Sequence, residues 1–116
     1  MTPRLSRIAE LNDRCRLGLD PAARVVITAT CLATFAPEGS AAGELAAEAE
    51  LLAAIRAYGF RPDECPERSR GEFTIRGQAV RFMIDYYDPA LEWGSEDPAD
   101  PRVTTRVMTI MLPLDD

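Results

Sequence analysis

Apolar residues recur every three or four positions near the start of the chain, which predicts an amphipathic helix over residues 4–18. Gly18 and Pro21 are expected to end this helix. A run of β-branched residues at 24–30 is too short for a helix and predicts the first strand, whereas residues 31–36 show no decisive pattern. The stripe of the first helix consists of Leu5, Ile8, Leu11, Cys15 and Leu19.

A second helical pattern lies within residues 38–58. Ser40 suits the N-cap position, because its hydroxyl can accept a hydrogen bond from the first turn. Gly59 suits the left-handed position that often follows a helix. The predicted buried stripe consists of Leu45, Ala49, Leu52 and Ile55.

Alternation replaces helical spacing in the second half of the chain. Residues 60–71 are rich in proline and charge and predict a surface loop. Residues 72–75 and 79–87 predict a β-hairpin turned at 76–78, where Gly77 can take a positive φ. Residues 103–112 predict a last strand with apolar side chains on both faces, which is typical of a central strand. The apolar face of the strand at 79–87 consists of Val80, Phe82, Ile84 and Tyr86.

The predicted order of elements is α-β-α-β-β-β, which is typical of an α+β domain. A chain of 116 residues can bury one core but not two, so we expect residues 1–116 to form a single domain. We expect a mainly antiparallel β-sheet of about four strands with two helices packed on one face.

Residues 85–100 form a stretch of one charge sign between the last two predicted strands. The stretch contains six carboxylates and no basic residue, and Pro89 and Pro98 restrict its path. It also carries Trp93, the single tryptophan of the chain. We interpret this segment, called the acidic loop below, as rigid and as carrying one aromatic anchor. Its carboxylates are Asp85, Asp88, Glu92, Glu96, Asp97 and Asp100.

The charge balance indicates the kind of partner. The chain has 19 acidic and 13 basic residues, and its net charge is −6. A focused negative surface repels nucleic acids and anionic membranes and attracts basic surfaces. We therefore expect no direct binding to nucleic acid or membrane, and a basic nucleic-acid-binding protein as partner. The predicted contact residues are the six carboxylates of the acidic loop, Trp93, and Glu44 and Glu48 on the second helix.

A purely structural interpretation of the same residues stays open. The carboxylates can be a solvated surface, since charged runs usually are. In that case Asp85 would pair with Arg81 or Arg106 across the sheet, and Trp93 would close the core under the loop.

The residue types offer little for catalysis. The chain has no His and no Lys, so a Ser, Cys or Thr nucleophile lacks its usual base. Transition-metal ligands at set spacings are missing as well. We predict no catalytic residue, no metal and no cofactor, although a divalent-cation-dependent enzyme that uses the carboxylates of residues 85–100 remains an alternative.

The cysteines and the N-terminus indicate the compartment. Cys15, Cys31 and Cys65 are widely and irregularly spaced, which is typical of a reducing environment. Cys15 lies on the apolar stripe and is expected in the core. No apolar signal segment follows Met1, so we expect a cytoplasmic protein.

Two runs of residues carry a resemblance to a known group of proteins. The first is Ile8-Ala9-Glu10-Leu11-Asn12-Asp13-Arg14, and the second extends from Ile84 to Leu112 and includes Gly94-Ser95-Glu96-Asp97-Pro98-Ala99-Asp100-Pro101. The chain resembles an uncharacterised family of small proteins from plasmids, phages and other mobile elements of alphaproteobacteria.

The resemblance brings no activity and no catalytic residue. It implies a mobile-element setting, in which short acidic proteins often inhibit host defence, in several cases as DNA mimics. The expectation is therefore an anti-CRISPR-type inhibitor that docks on a DNA-binding surface of a CRISPR effector. A self-associating plasmid-maintenance or stress protein is a further alternative.

Overall fold

The computed structural model describes residues 2–116, which form three α-helices, four β-strands and a 3₁₀ turn. The helices are α1 (Pro3–Arg16), α2 (Ala29–Phe35) and α3 (Ala41–Arg56), the strands are β1 (Arg24–Ile27), β2 (Arg70–Ile75), β3 (Gln78–Tyr87) and β4 (Thr105–Met111), and the 3₁₀ turn is Pro113–Asp115.

The four strands form one sheet in the order β1-β4-β3-β2. The pairs β2–β3 and β3–β4 are antiparallel, whereas β1 runs parallel to β4. The predicted α+β class is confirmed, and β4 has a neighbour on each side, as its two apolar faces predicted. The sheet is mixed because β1 reaches β4 by a long connection rather than by a hairpin.

One face of the sheet carries the core. Val80 and Phe82 on β3 and Ile110 on β4 are fully buried. They pack in one cluster with side chains from all three helices, including Cys15, which confirms its predicted place in the core. The opposite face of β3 holds Arg81, Met83, Asp85 and Tyr87, as the alternation predicted.

The expectation of two helices is wrong, because the ambiguous region forms α2. The Thr28 hydroxyl accepts a hydrogen bond from Cys31 N at 3.3 Å and caps this helix, so β1 ends at Ile27 rather than at residue 30. A side-chain cap compensates for the weak helix propensity of the β-branched residues around it. Cys31 and Phe35, on the inner side of α2, are buried in the core.

Helix α3 starts as predicted but is rotated about its axis relative to the predicted stripe. Ser40 caps it by accepting from Gly43 N at 3.0 Å. Its buried residues are Ala47, Leu51 and Ile55, and Leu45 is 69% exposed. The sequence pattern of this helix is ambiguous because the helix is rich in alanine, and alanine can face the core or the solvent at little cost.

Of the two predicted helix ends, the one at Gly59 is wrong and the one at Gly18 is confirmed. Helix α3 ends at Arg56 with Ala57 as its right-handed C-cap, so Gly59 has no capping role. The buried Arg16 side chain caps this end of α3 instead, because it donates to the carbonyl oxygens of Ile55, Arg56 and Tyr58 at 3.0–3.3 Å. Helix α1 ends at Arg16 with Leu17 as its C-cap, and the predicted stop at Gly18 is confirmed, because Gly18 takes a positive φ of 77° directly after the cap. Leu19, predicted as part of the buried stripe, is 57% exposed.

A two-residue turn joins β2 to β3. Ile75 pairs with Gln78, and both Arg76 and Gly77 have positive φ, at 51° and 75°. Two consecutive residues of this kind give the turn whose twist matches a hairpin. The predicted role of Gly77 is confirmed.

Candidate partner-binding surface

The first half of the acidic loop is a tight extension of β3. Asp88 N donates to Trp93 O at 2.8 Å, and the Asp88 carboxylate accepts from Glu92 N at 3.0 Å. Gly94 forms a bridge with Tyr87, and Leu91 takes a positive φ of 59° at the bend. These backbone contacts fix the backbone of Trp93 opposite Asp88, just after the bend.

The second half of the loop is fixed by hydroxyl groups. The Ser95 and Thr104 hydroxyls lie 2.7 Å apart, and Thr104 donates to Asp97 O at 2.8 Å. Arg106 Nη2 donates to Pro98 O at 2.6 Å and so anchors the loop to β4. The interpretation of the loop as rigid agrees with this number of contacts.

Trp93 lies outside the core. Its side chain is 74% exposed, and Tyr87, Leu91 and Val103 are each exposed by about 40%. Trp93 and Val103 line a shallow hollow of about 330 Å³ together with Asp88, Pro89, Gly94 and Glu96. The structural alternative in which Trp93 closes the core under the loop is wrong, since the loop satisfies its own backbone groups and leaves the indole in solvent.

Three carboxylates of this region have no partner. Asp85, Glu92 and Glu96 are exposed and make no side-chain hydrogen bond or ion pair with any residue in the range 2–116. The alternative pairing of Asp85 with Arg81 or Arg106 is also wrong. Arg81 binds Glu72 and Asp116, and Arg106 points into the core.

Two other carboxylates are already paired with arginines. Asp97 accepts from Arg4 at 3.1 Å, and Asp100 accepts from Arg102 at 3.1 Å. The hydrogen bonds from the Arg102 side chain and backbone lower the pKa of Asp100. These two residues brace the loop onto α1 and onto itself. The exposed side chains at the end of β3 and on the loop form what we call the Trp93 surface: Asp85, Tyr87, Leu91, Glu92, Trp93, Glu96 and Val103.

Glu44 and Glu48 lie elsewhere. Both line a separate hollow between α3 and β1, together with Val25 and Leu45. In the described part of the chain they share no hydrogen bond, ion pair or hollow with the acidic loop. The predicted contact set is therefore divided between two surfaces.

A buried polar network supports the loop, and it was not predicted. Asn12 on α1 is fully buried, donates to Tyr86 Oη at 2.8 Å and accepts from Arg106 Nε at 2.6 Å. Tyr86 donates to the Glu67 carboxylate at 2.7 Å, and burial together with that carboxylate raises the pKa of Tyr86 to about 12. A signal was present in the sequence, because Asn12 is four residues after Ile8 and therefore falls in the apolar stripe of α1.

Residues 2–116 contain neither a candidate metal site nor a candidate membrane span. No group of three or more Cys, Asp or Glu side chains is arranged so that it could hold a metal ion. Within the same residues, no helix has the length and apolar character needed to cross a bilayer.

These features define a small α+β protein that presents an exposed tryptophan among unpaired carboxylates on a braced loop. The chain belongs to the family of proteins of unknown function designated DUF3768, whose model matches residues 37–115. The matched span contains α3, β2, β3, β4 and the whole acidic loop. No curated protein and no solved structure matches the chain.

Proposed function

We propose that this protein is a non-enzymatic binding protein that docks its Trp93 surface on a basic nucleic-acid-binding protein and blocks nucleic-acid binding by that partner. The observation that carries the proposal is the 74% exposure of Trp93 next to carboxylates that have no arginine partner among residues 2–116.

An exposed indole on a rigid loop is the first support. Tryptophan is among the residues most enriched at the energetic centres of protein interfaces, where it fills a pocket of the partner. The backbone of Trp93 is held in place by hydrogen bonds of the loop, so little backbone entropy would be lost when the indole binds. Tyr87, Leu91 and Val103 supply apolar area around it.

The unpaired charges are the second support. Glu96 lines the same hollow as Trp93 and Val103, and Asp85 and Glu92 lie close to Tyr87 and Trp93 in the sequence. None of the three has a cation of its own among residues 2–116, so a partner with Arg or Lys around an apolar pocket is complementary to them. Charges at the rim of an interface mainly steer association and select the partner. The net charge of −6 adds attraction toward a basic surface.

The sequence resemblance to mobile-element proteins supports a narrower partner. In that setting the basic surface is the DNA-binding groove of a CRISPR effector, and the protein acts as an anti-CRISPR-type inhibitor. The carboxylates of the Trp93 surface then occupy positions that phosphates of the nucleic acid would take. Docking depends on the aromatic anchor as well as on charge, because Asp97 and Asp100 are engaged with arginines of the same chain.

The test is DNA binding by purified CRISPR effector complexes of several types in the presence of increasing amounts of the protein. The variant D85R/E92R/E96R should no longer inhibit, since it reverses the three unpaired carboxylates. The matched control is E10R/E38R/D63R, which changes the net charge equally at exposed positions outside the Trp93 surface. Equal loss of inhibition in both variants would show that only overall charge matters.

Salt and chelator separate this function from the cation-dependent enzyme. Docking by charge should weaken steeply with ionic strength, because exposed charges are screened within about 8 Å at physiological salt. Inhibition that disappears with EDTA but persists at moderate salt would favour the divalent-cation alternative.

A further inference from the structure

Strand β1 leaves one edge of the sheet open. It is the terminal strand in the order β1-β4-β3-β2 and, among residues 2–116, pairs only with β4. Thr28 N donates to Ile110 O at 2.9 Å, so the backbone groups of Thr28 point toward β4. In a parallel pair, every second residue of a strand directs its N–H and C=O groups toward the partner strand, and the residues between direct theirs away from it. The backbone N–H and C=O groups of Val25 and Ile27 therefore point away from the sheet. Unpaired edge groups of this kind are a template for another strand.

A groove lies beside this open edge. β1, α2 and α3 enclose a hollow of about 360 Å³. Its apolar lining includes Val25, which is 42% exposed, and Leu45, which is 69% exposed. Both side chains stay in solvent because α3 turns Ala47, Leu51 and Ile55 toward the core instead. We call this feature, lined by Val25, Ile27, Leu32, Ala41, Glu44, Leu45 and Glu48, the β1 groove.

Two carboxylates give the β1 groove a charge. Glu44 and Glu48 make no hydrogen bond or ion pair through their side chains within residues 2–116, whereas Glu50 on the same helix binds Arg76. Like charges four residues apart on a helix repel each other. A cation that lies between or beside them would remove this repulsion, so the groove is complementary to a basic ligand.

The spacing of the charges fits an extended chain. Side chains four residues apart on a helix are about 5–6 Å apart at their Cβ atoms. Alternate side chains of a strand lie about 6.6–6.8 Å apart on one face. Two basic side chains at alternate positions of a strand paired with β1 can thus each meet one of the two glutamates, while an apolar side chain on the same face enters the space beside Leu45.

We propose that β1 and the β1 groove bind an extended basic peptide segment of a partner protein, which adds to the sheet as a fifth strand. Main-chain hydrogen bonds to Val25 and Ile27 supply the pairing, and Glu44 and Glu48 select Arg or Lys. Strand addition to an open sheet edge is a general mode of peptide recognition. This surface is separate from the Trp93 surface, and the proposal does not depend on the function proposed for that surface.

The test uses a short fluorescein-labelled peptide that has threonine at every second position and arginine or valine at the positions between. Its binding to the full chain is measured by fluorescence anisotropy. Saturable binding of this probe is expected, and a matched peptide with glutamate in place of arginine should not bind. E44R/E48R should weaken binding of the basic peptide by at least about tenfold. E10R/D63R serves as the control and should leave peptide affinity unchanged, because it makes the same change in net charge at exposed positions outside the β1 groove.

Val25→Pro tests the strand pairing itself. It removes an N–H that points away from β4, a substitution that edge strands tolerate, and it should abolish peptide binding without a change in the ladder to β4. L45A removes the exposed apolar side chain of the groove without a change in charge and should weaken binding of the basic peptide. It is the second variant if Val25→Pro does not fold.

Four results would overturn the proposal. They are no saturable binding to the wild type, equal binding of the acidic peptide, unchanged binding in both E44R/E48R and L45A, and a wild-type dimer that Val25→Pro converts to a monomer. The last result would assign the open edge to a second copy of this chain instead.

Discussion

Arg106 Nε donates a hydrogen bond to Asn12 Oδ1 at 2.6 Å and thereby joins the central strand to the first helix across 94 positions of the chain. Arg106 is 2% exposed, lies over the Tyr86 ring at 5.1 Å, and forms no ion pair within residues 2–116. Burial lowers its pKa, although a guanidinium remains charged at any ordinary pH. Because Arg106 also donates to Pro98 O, the path of the acidic loop depends on this buried cation.

Asn12→Ala should destabilise the protein by about 3 kcal/mol, since it leaves Arg106 Nε buried without its acceptor. Urea unfolding measures the loss. R102A is the control and should stay close to wild type, because Arg102 is exposed and, within the described residues, its one ion pair is with Asp100. The double variant N12A/R106L should lose less than the sum of the two single losses. A strictly additive result would contradict the coupling between the two residues.

W93A should leave the free energy of unfolding within about 0.5 kcal/mol of wild type, because the indole is 74% exposed and does not contribute to the core. Its effect should appear in partner affinity instead. Phe82→Ala is the matched comparison and should cost about 3–5 kcal/mol, since Phe82 is fully buried. Equal destabilisation of the two variants in urea would show that Trp93 packs inside the protein.

Cys65 should be the most reactive cysteine. Burial alone would raise the pKa of its thiol, but hydrogen bonds from the Ser69 hydroxyl and from the backbone N–H groups of Ser69, Arg70 and Arg68 lower the pKa overall. Burial raises the pKa of Cys15 to about 11 and also raises that of Cys31. Since only the thiolate reacts, brief iodoacetamide treatment at about pH 8 should label Cys65 first.

Peptide mass spectrometry after such treatment gives the order of labelling. In Ser69→Ala, which lacks the hydroxyl donor, the pKa of Cys65 should rise and the labelling profile should move to higher pH. Faster labelling of Cys15 or Cys31 than of Cys65 would contradict the burial and the hydrogen bonds described.

Asp115 should stabilise the protein near neutral pH and lose this effect in acid. Its carboxylate accepts from the hydroxyls of Thr30 and Thr28 and from Leu112 N, and these hydrogen bonds lower its pKa below the ordinary 3.8. Since the folded state has the lower pKa, the stabilisation is complete above 3.8 and disappears as pH falls through the folded value. Thermal melts between about pH 6 and pH 2 should therefore show a steeper loss for wild type than for D115N. Parallel curves would contradict this role.

The strands of the core were predictable because only one assignment of their side chains to the buried and exposed faces avoids a buried charge. Val80, Phe82 and Ile84 alternate with Arg81 and Met83, and a shift of one residue would bury an arginine. The hairpin turn was predictable for a similar reason, since Gly77 takes a positive φ without strain.

Helices rich in alanine gave weaker predictions. In α3, alanines at 46, 47, 49 and 53 allow several orientations, and the choice depends on how α2 and the sheet pack against it. The position of Leu45 in solvent follows from that packing and could not be derived from spacing. Helix α2 depends on the Thr28 cap, in a stretch whose residue types equally favour a strand.

The sequence located the segment of the candidate site but not the ion pairs of its carboxylates. Both the acidic loop and Trp93 were identified from the sequence. The ion pair between Arg4 and Asp97 joins residues at opposite ends of the chain, so only the tertiary structure decides which carboxylates remain unpaired. The tertiary structure also decides that Glu44 and Glu48 lie on a different surface from the acidic loop.

The most direct test of the central claim is the affinity of the protein for an effector complex that it inhibits, compared between wild type and W93A at fixed salt. We predict that W93A binds at least about tenfold more weakly and releases DNA binding by the effector, while it unfolds at the wild-type urea concentration. Unchanged affinity and inhibition in W93A, or no binding by wild type to any effector tested at low salt, would contradict the claim.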